Sequence, residues 1–330
     1  MRFANNTRGY LSGIGAGITW GFDTVMLGVA MAMAPFSENP VLVVSGAVIC
    51  SALHDLFSAL WLVLYMIARG RIGELPKAFC SRDGLFCALG ALFGGPLAMT
   101  FYLLAIAQGG AALTASVTAC YPIIGTALAV LILKEKTGYQ TWIGLVICVI
   151  GICVLGYSPS DEASRNVIVG VLLALVTAVG WASEGVVCGY GMKDGNVDPQ
   201  MALLIRELTS GFVYIVAVAP IFAHGFGNFG NGVSAIFACR PCGVLLAVTA
   251  LIGMSSFGMW YQAISDIGAG KALCLNVTYS FWAVLITLVG SLVMPQYLGG
   301  QLSWPVAVGA VLMISGVTLA TLYTRKGASV

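Results

Sequence analysis

The chain consists of long apolar runs separated by short polar segments. We delimit ten such runs, at 9–33, 41–68, 83–107, 111–133, 138–157, 166–191, 198–222, 241–265, 270–293 and 303–323. About 20 apolar residues in a helix are long enough to cross the hydrocarbon core of a bilayer, and a helix satisfies its own backbone hydrogen bonds there. The short alternating segments of a membrane β-barrel are absent from the sequence. The pattern therefore predicts an all-α membrane protein with ten transmembrane helices.

The composition agrees with a membrane protein and limits its partners. Of the 330 residues, 59% are hydrophobic and 8% are charged, whereas about 25% of the residues in a soluble domain are charged. The formal net charge is +2, which is too small to indicate a nucleic-acid partner. We therefore expect the lipid bilayer to surround most of this chain.

The distribution of basic residues predicts the orientation of the helices. If the N-terminus lies inside, twelve lysines and arginines fall in the inner segments, and two, Arg165 and Arg240, fall in the outer loops. The remaining basic residue, Arg206, lies within an apolar run. Because the inner loops of membrane proteins carry the excess of basic residues, both termini are predicted to be cytoplasmic.

The chain also contains a weak internal repeat. Trp20 precedes Asp23 by three residues in the first run, and Trp181 precedes Glu184 by the same spacing in the sixth. Three further pairs of segments align in the same order, LHDLFSA with IRELTSG, FYLLAI with WYQAIS, and SVTACYP with NVTYSFW. Since five helices per repeat is an odd number, the second repeat must enter the membrane from the opposite side, as in many secondary transporters. We predict a five-helix repeat at 1–157, an outer loop at 158–165 and an inverted repeat at 166–330.

Six ionisable side chains lie within the predicted spans, where a charge costs about 2.5–3.5 kcal/mol on insertion scales. They are Asp23, His54, Asp55, Glu184, Arg206 and Glu207. Residues of this kind usually face a cavity or pair with one another. The group of His54, Asp55, Arg206 and Glu207 is consistent with a proton relay or with an internal network of ion pairs. Arg206 could instead extend its guanidinium to the membrane surface.

The two Trp–acid pairs indicate a site for an organic cation. Residues three apart share a helix face, so each tryptophan lies beside its acid, and inverted symmetry would bring the two faces together. Aromatic faces attract quaternary ammonium groups, and a carboxylate neutralises their charge. The further members of the predicted cage are Trp260, Tyr261, Tyr279, Trp282 and Tyr121, with Asn276 available to bond a hydroxyl group of the ligand. Helix packing without a ligand is the alternative explanation for each aromatic residue.

Motifs of other functional classes are missing or incomplete. The sequence has no H-E-x-x-H motif and no Gly-rich phosphate loop, and it contains two histidines. No enzymatic activity, cofactor or metal site is therefore predicted. Cys239 and Cys242 form a single C-x-x-C, which is compatible with an outward-facing disulfide, a redox pair or helix-end packing. A channel or a scaffold is the alternative to a transporter.

Several segments resemble the drug/metabolite transporter superfamily of EamA type, and more narrowly the LicB-type choline permeases. The resemblance is sharpest at SALHDLFS, ALFGGPLAM, SVTACYP, GWASEGV, ALLIRELTS and LNVTYSFW. It implies ten helices in two inverted repeats and import of choline across the cytoplasmic (inner) membrane by a secondary transporter. The membrane potential or protons would drive this import. By the same resemblance, the ligand would contact Trp20, Trp181, Glu184, Tyr261, Asn276 and Tyr279.

Two acids depart from the pattern of that family. It does not require an acid at the position of Asp23, and a neutral amide can stand at that of Glu207. The additional carboxyl groups suit a second charge on the ligand, or protons. The alternative within the superfamily is an exporter of amino acids or other small metabolites, for which Arg206 would have to bind the carboxylate.

Overall fold

The computed structural model describes residues 6–155, 166–298 and 304–322, and the regular secondary structure in these ranges is helical throughout. Within them, nine helices are long and apolar enough to cross a membrane, and one further apolar helix is shorter. In chain order these ten are α1 (Thr7–Met31), α2 (Pro40–Ala68), α3 (Arg82–Gly109), α4 (Leu113–Leu133), α5 (Tyr139–Leu155), α6 (Val167–Met192), α7 (Pro199–Phe222), α8 (Arg240–Ile267), α9 (Ala269–Gly290) and α10 (Trp304–Thr321). The prediction of an all-α membrane protein is confirmed. The outer loop predicted at 158–165 lies outside the described residues.

The helices of the two halves are interleaved. α1 packs along α8 and α9, and α6 packs in the same way along α3 and α4. In each case the first helix of one half contacts the third and fourth helices of the other half, and the two fifth helices, α5 and α10, pack together. This reciprocal packing agrees with the predicted inverted repeat, and the boundaries of the repeats stay a prediction.

The fourth helix of each half is interrupted near its middle. Each of these two helices also starts after a glycine with positive φ. Gly110, with φ at 82°, precedes the first segment of α4, and Gly268, with φ at 90°, precedes α9. Glycine adopts this backbone conformation without steric cost. The break in α4 directly precedes Tyr121, and the break in α9 separates Asn276 from Tyr279. Interrupted helices of this kind often form the substrate sites of transporters.

A row of glycines allows α1 to approach its neighbours closely. Gly9, Gly13, Gly17 and Gly21 face α8 and α9, and a Cβ atom at any of them would overlap atoms of these two helices. Small residues at four-residue spacing permit such close contact between membrane helices. The row therefore forms a packed interface that runs from the N-terminal end of α1 to the level of the cavity.

Polar contacts reinforce this N-terminal side of the bundle. The Arg8 guanidinium donates to both carboxylate oxygens of Asp266, at 2.7 and 2.6 Å. The Glu135 carboxylate, between α4 and α5, accepts the backbone N–H groups of Ala269 and Gly270, at 2.7 and 3.1 Å. Glu135 therefore caps the first turn of α9 and connects the two halves of the chain.

We expect Glu135→Ala to lower the apparent melting temperature of the detergent-solubilised protein. The substitution leaves two backbone N–H groups without their acceptor, and the loss of a helix cap costs about 1 kcal/mol. The exposed Glu38 provides a matched control, and Glu38→Ala should leave the melting temperature unchanged. Equal melting temperatures for the two variants would show that the cap does not stabilise the fold.

Candidate functional site

A cavity of about 130 Å³ lies between the two halves of the bundle. Four helices of the first half, α1–α4, and four of the second, α6–α9, contribute to its wall. Its size is close to that of an engineered protein cavity of about 150 Å³ that holds benzene, so it suits a small organic molecule. The wall is mostly apolar and is formed by Trp20, Asp23, Leu27, Ser51, His54, Asp55, Gly94, Gly95, Met99, Tyr121, Trp181, Glu184, Arg206, Tyr214, Phe257, Trp260, Asn276 and Tyr279.

Aromatic rings from both halves line the cavity. Trp20 packs edge-to-face against Phe257, with ring centroids 4.5 Å apart, and more loosely against Tyr279, at 6.4 Å. On the other half of the wall, Trp181 packs edge-to-face against Tyr121, at 5.9 Å. The two tryptophans of the repeated Trp–acid pairs therefore belong to one aromatic surface.

Arg206 is the centre of a buried group of charges. Its guanidinium lies 2.9 Å from Glu184 Oε1, 3.3 Å from Asp55 Oδ2 and 3.2 Å from Glu207 Oε2. It also lies over the ring of Phe257, 4.4 Å from the centroid, and the residue is 3% exposed. The prediction that Arg206 could extend to the membrane surface is therefore wrong, because three carboxylates hold it inside the bundle.

A second buried pair extends the group of charges along the cavity. His54 Nε2 lies 3.0 Å from Asp23 Oδ1, and His54 Nδ1 lies 3.7 Å from Asp55 Oδ1. The hydroxyl of Ser210 donates to the other oxygen of Asp55. Asp23, His54, Asp55, Arg206 and Glu184 thus form a continuous line of polar contacts, which we call the polar line. Its geometry is compatible with the predicted ion-pair network, and a proton relay along it stays a prediction.

The acids of this region outnumber its bases. Four carboxyl groups, those of Asp23, Asp55, Glu184 and Glu207, share one guanidinium and one imidazole. With every carboxyl group ionised, negative charge is in excess even when the imidazole is protonated. Because an uncompensated charge inside the membrane is costly, the site favours a bound cation or protons on some of the carboxyl groups.

Most of the predicted site residues line the cavity, and three do not. Tyr261 is fully buried behind the wall, where its hydroxyl donates to Glu184 Oε1 at 3.4 Å and also contacts Cys188. Glu207 lies behind Arg206, and its Oε1 has no hydrogen-bond partner in the described part of the chain. Trp282, predicted for the cage, is not part of the wall and packs against Phe281. These residues support the site or the bundle without facing the cavity.

Seven residues of the wall were not predicted from the sequence, namely Leu27, Ser51, Gly94, Gly95, Met99, Tyr214 and Phe257. Phe257 lies one helical turn before Trp260, so the helical spacing of the aromatic residues in α8 contained the signal. Gly94 and Gly95 precede Pro96 in a π-helical turn of α3, and a methyl group at Gly94 would overlap the Glu184 carboxylate. The motif GGP was visible in the sequence, but its contact with Glu184 depends on how α3 packs against α6.

The C-x-x-C of α8 lies apart from the cavity. Cys239 and Cys242 are free thiols, and Cys242 is fully buried in an apolar cluster that includes Cys50 and Leu246. Of the three interpretations of the motif, helix-end packing agrees with this arrangement.

Wall residues lie on both sides of the polar line, since on α1 Trp20 precedes Asp23 and Leu27 follows it. Along α1, Leu27 of the wall lies beyond Asp23, farther from the N-terminus, and along α7, Tyr214 lies beyond Arg206 in the same direction. α2 runs the other way, so Ser51 lies on the same side of His54. On the N-terminal side, the glycine row of α1 and the contacts of Arg8 and Glu135 close the bundle.

Comparisons with known proteins agree with this architecture. Residues 7–157 match the EamA-like transporter family. Protein LicB of Haemophilus influenzae is 27% identical over 320 residues, which cover 96% of this chain and 98% of LicB. The uncharacterized transporter YvbV of Bacillus subtilis is 26% identical over 201 residues, 60% of this chain and 59% of YvbV.

A solved crystal structure shares the fold. It superposes with a TM-score of 0.66 at 15% sequence identity and covers 96% of this chain and 99% of the other. The full-length match in fold, the EamA-like first half and the similarity to LicB all agree with a cavity enclosed by two halves of a helical bundle. The first half of the chain therefore matches the EamA-like transporter family, and the whole chain is similar to LicB over nearly its full length, which supports a membrane transporter of this superfamily.

Proposed function

We propose that the protein imports choline or a similar quaternary-ammonium cation across the cytoplasmic membrane. The observation that carries this proposal is the excess of carboxyl groups beside an aromatic wall in a cavity between the two halves. Aromatic faces and carboxylates are the two groups that bind a cation with an apolar shell. The resemblance to the LicB-type permeases favours the same class of substrate.

In the proposed complex, the trimethylammonium group contacts the rings of Trp20 and Trp181. Each contact of this kind contributes about 0.5–2 kcal/mol, depending on desolvation. Glu184 and Asp23 supply the negative charge. Each of these carboxylates uses one oxygen for its basic partner, and the other oxygen has no hydrogen bond within the described residues.

Transport follows from alternating access of this cavity. We infer that the two halves rock about the site, since inverted repeats provide two related conformations. With the N-terminus in the cytoplasm, as the basic residues favour, this rocking would expose the site alternately to the cytoplasm and to the outside.

The driving force is the membrane potential or a proton gradient. A cation is drawn inward by a negative interior, by about 2.3 kcal/mol per charge for each 100 mV. The polar line offers protonatable groups next to the site, and in particular His54 between Asp23 and Asp55. Protonation and deprotonation of these carboxyl groups during the transport cycle would couple proton movement to that of the cation.

An exporter of amino acids is the alternative function. A zwitterionic ligand would need a free cationic partner for its carboxylate, and Arg206 lines the cavity. Three carboxylates already surround Arg206, so a ligand carboxylate would have to displace one of them. This competition makes the quaternary-ammonium cation the better substrate for the observed site.

The deciding experiment is uptake of labelled choline into proteoliposomes, first with a negative interior and then with an imposed proton gradient. Saturable uptake driven by either gradient would support the proposal. A correctly inserted protein that takes up no choline, and instead transports amino acids from a test panel, would establish the alternative.

Glu184→Gln and Trp181→Ala are each expected to weaken choline binding by about 1–2 kcal/mol, or about five- to thirtyfold in Kd. The first removes the negative charge, and the second removes an aromatic face. Glu38→Gln and Trp304→Ala serve as matched controls, because both residues are exposed away from the cavity. Unchanged choline affinity in both site variants would exclude these residues from the substrate site.

A further inference from the structure

Trp260 combines a place in the cavity wall with a fully buried indole nitrogen. The residue is 4% exposed and lines the cavity. Its Nε1 has no hydrogen-bond partner in the part of the chain that the structure describes. A buried tryptophan N–H normally finds an acceptor, and leaving a buried donor unsatisfied destabilises the fold.

Trp61 shows what a tryptophan with a purely structural role does in this bundle. Its Nε1 donates to the backbone carbonyl of Ala247 at 2.9 Å, which satisfies the indole and connects α2 to α8. No such acceptor is available to Trp260. Its unpaired donor is therefore a local feature of the cavity wall.

Packing on several sides fixes the ring of Trp260. The ring lies 5.9 Å from Phe257 and 5.6 Å from Tyr261, between centroids. A Cβ atom at Gly185 would lie 3.2 Å from Cζ2 of the indole, so α6 approaches this edge of the ring closely. The indole is thus held in place, and its buried N–H has no partner among the described residues.

Asn276 provides a second donor in the same cavity. The residue is 8% exposed, and its Oδ1 accepts a hydrogen bond from the Tyr121 hydroxyl at 3.4 Å. This bond orients the amide and leaves the N–H groups of Nδ2 for another acceptor, since the described residues supply none. The cavity therefore carries donors at Trp260 and Asn276 as well as carboxylates at Asp23 and Glu184.

We propose that Trp260 is a specificity-determining hydrogen-bond donor, which selects organic cations that also carry an oxygen acceptor. This inference rests on the proposed function and narrows its substrate class. The cationic end of the ligand contacts the carboxylates and the aromatic faces, and its oxygen accepts the N–H of Trp260. A cation of the same shape without the oxygen leaves that donor unsatisfied and binds more weakly.

The test compares choline with n-propyltrimethylammonium, in which a methyl group replaces the hydroxyl. Affinities are measured by isothermal titration calorimetry on wild type and Trp260→Phe. Wild type should prefer choline by about tenfold, as one hydrogen bond to a buried donor would produce. Trp260→Phe should reduce the preference to about twofold or less, mainly by weakening choline binding. The matched control Trp181→Phe should weaken both ligands and keep the preference.

A second variant separates the loss of the N–H from the loss of ring volume. Benzothienylalanine at position 260 keeps the bicyclic shape and lacks the donor, and it should abolish the preference as Trp260→Phe does. Equal binding of both ligands to wild type would overturn the inference and leave the proposed function intact. A tenfold preference that persists in both variants would also overturn it. Binding of neither ligand to folded wild type would instead refute the proposed function.

Discussion

Arg206→Ala is expected to destabilise the protein strongly and to abolish transport. The substitution leaves the carboxylates of Asp55, Glu184 and Glu207 buried together without their shared cation. Removing one partner of a buried ion pair typically costs about 3–5 kcal/mol. A thermal melt in detergent should show a large loss of stability, and uptake should fall to background.

Two further variants test the reason for this effect. Arg206→Lys keeps the charge but cannot reproduce the planar contacts of a guanidinium, so it should recover stability only in part. Adding Glu207→Gln to Arg206→Ala removes one of the unpaired acids and should also recover stability. Arg240→Ala, at an exposed position at the start of α8, is the matched control and should behave as wild type.

An unchanged melting temperature for Arg206→Ala would show that the carboxyl groups are neutral without it. An Arg206→Ala variant that keeps its stability but loses binding of an amino acid would favour the amino-acid exporter.

Gly94→Ala is expected to reduce transport by at least about tenfold while the helices still form. The added methyl group would occupy the position of the Glu184 carboxylate, which lies directly on Gly94. Glu184 would have to move, and its 2.9 Å contact with Arg206 would be lost. A displacement of about 1 Å in a site can cost about a hundredfold in rate.

The control for this prediction is a glycine with free space around it. No atom lies within 4 Å of a Cβ built on Gly28 of α1, so Gly28→Ala should transport as wild type does. Combining Gly94→Ala with Glu184→Asp shortens the acid and should restore part of the uptake. Wild-type uptake by Gly94→Ala, measured in the same proteoliposomes, would show that Gly94 does not position Glu184.

The sequence determined the architecture because the length of an apolar run decides whether a helix crosses a membrane. The ten predicted runs agree with the observed helices to within a few residues. The repeated spacing of Trp20–Asp23 and Trp181–Glu184 also placed both pairs on the cavity wall. An acidic residue inside an apolar run can be identified from the sequence as a candidate site residue, because a charge within the membrane needs a compensating contact.

The tertiary structure decided which groups meet. Helical spacing assigns a residue to a face, but the rotation and depth of each helix select its partners across the bundle. This packing pairs Asp23 with His54 and Glu184 with Arg206, and it places Tyr261 behind the wall of the cavity. It also brought Gly94 against Glu184 and left the N–H of Trp260 without an acceptor. These contacts depend on close packing between helices distant in sequence, and no single segment of the chain contains that information.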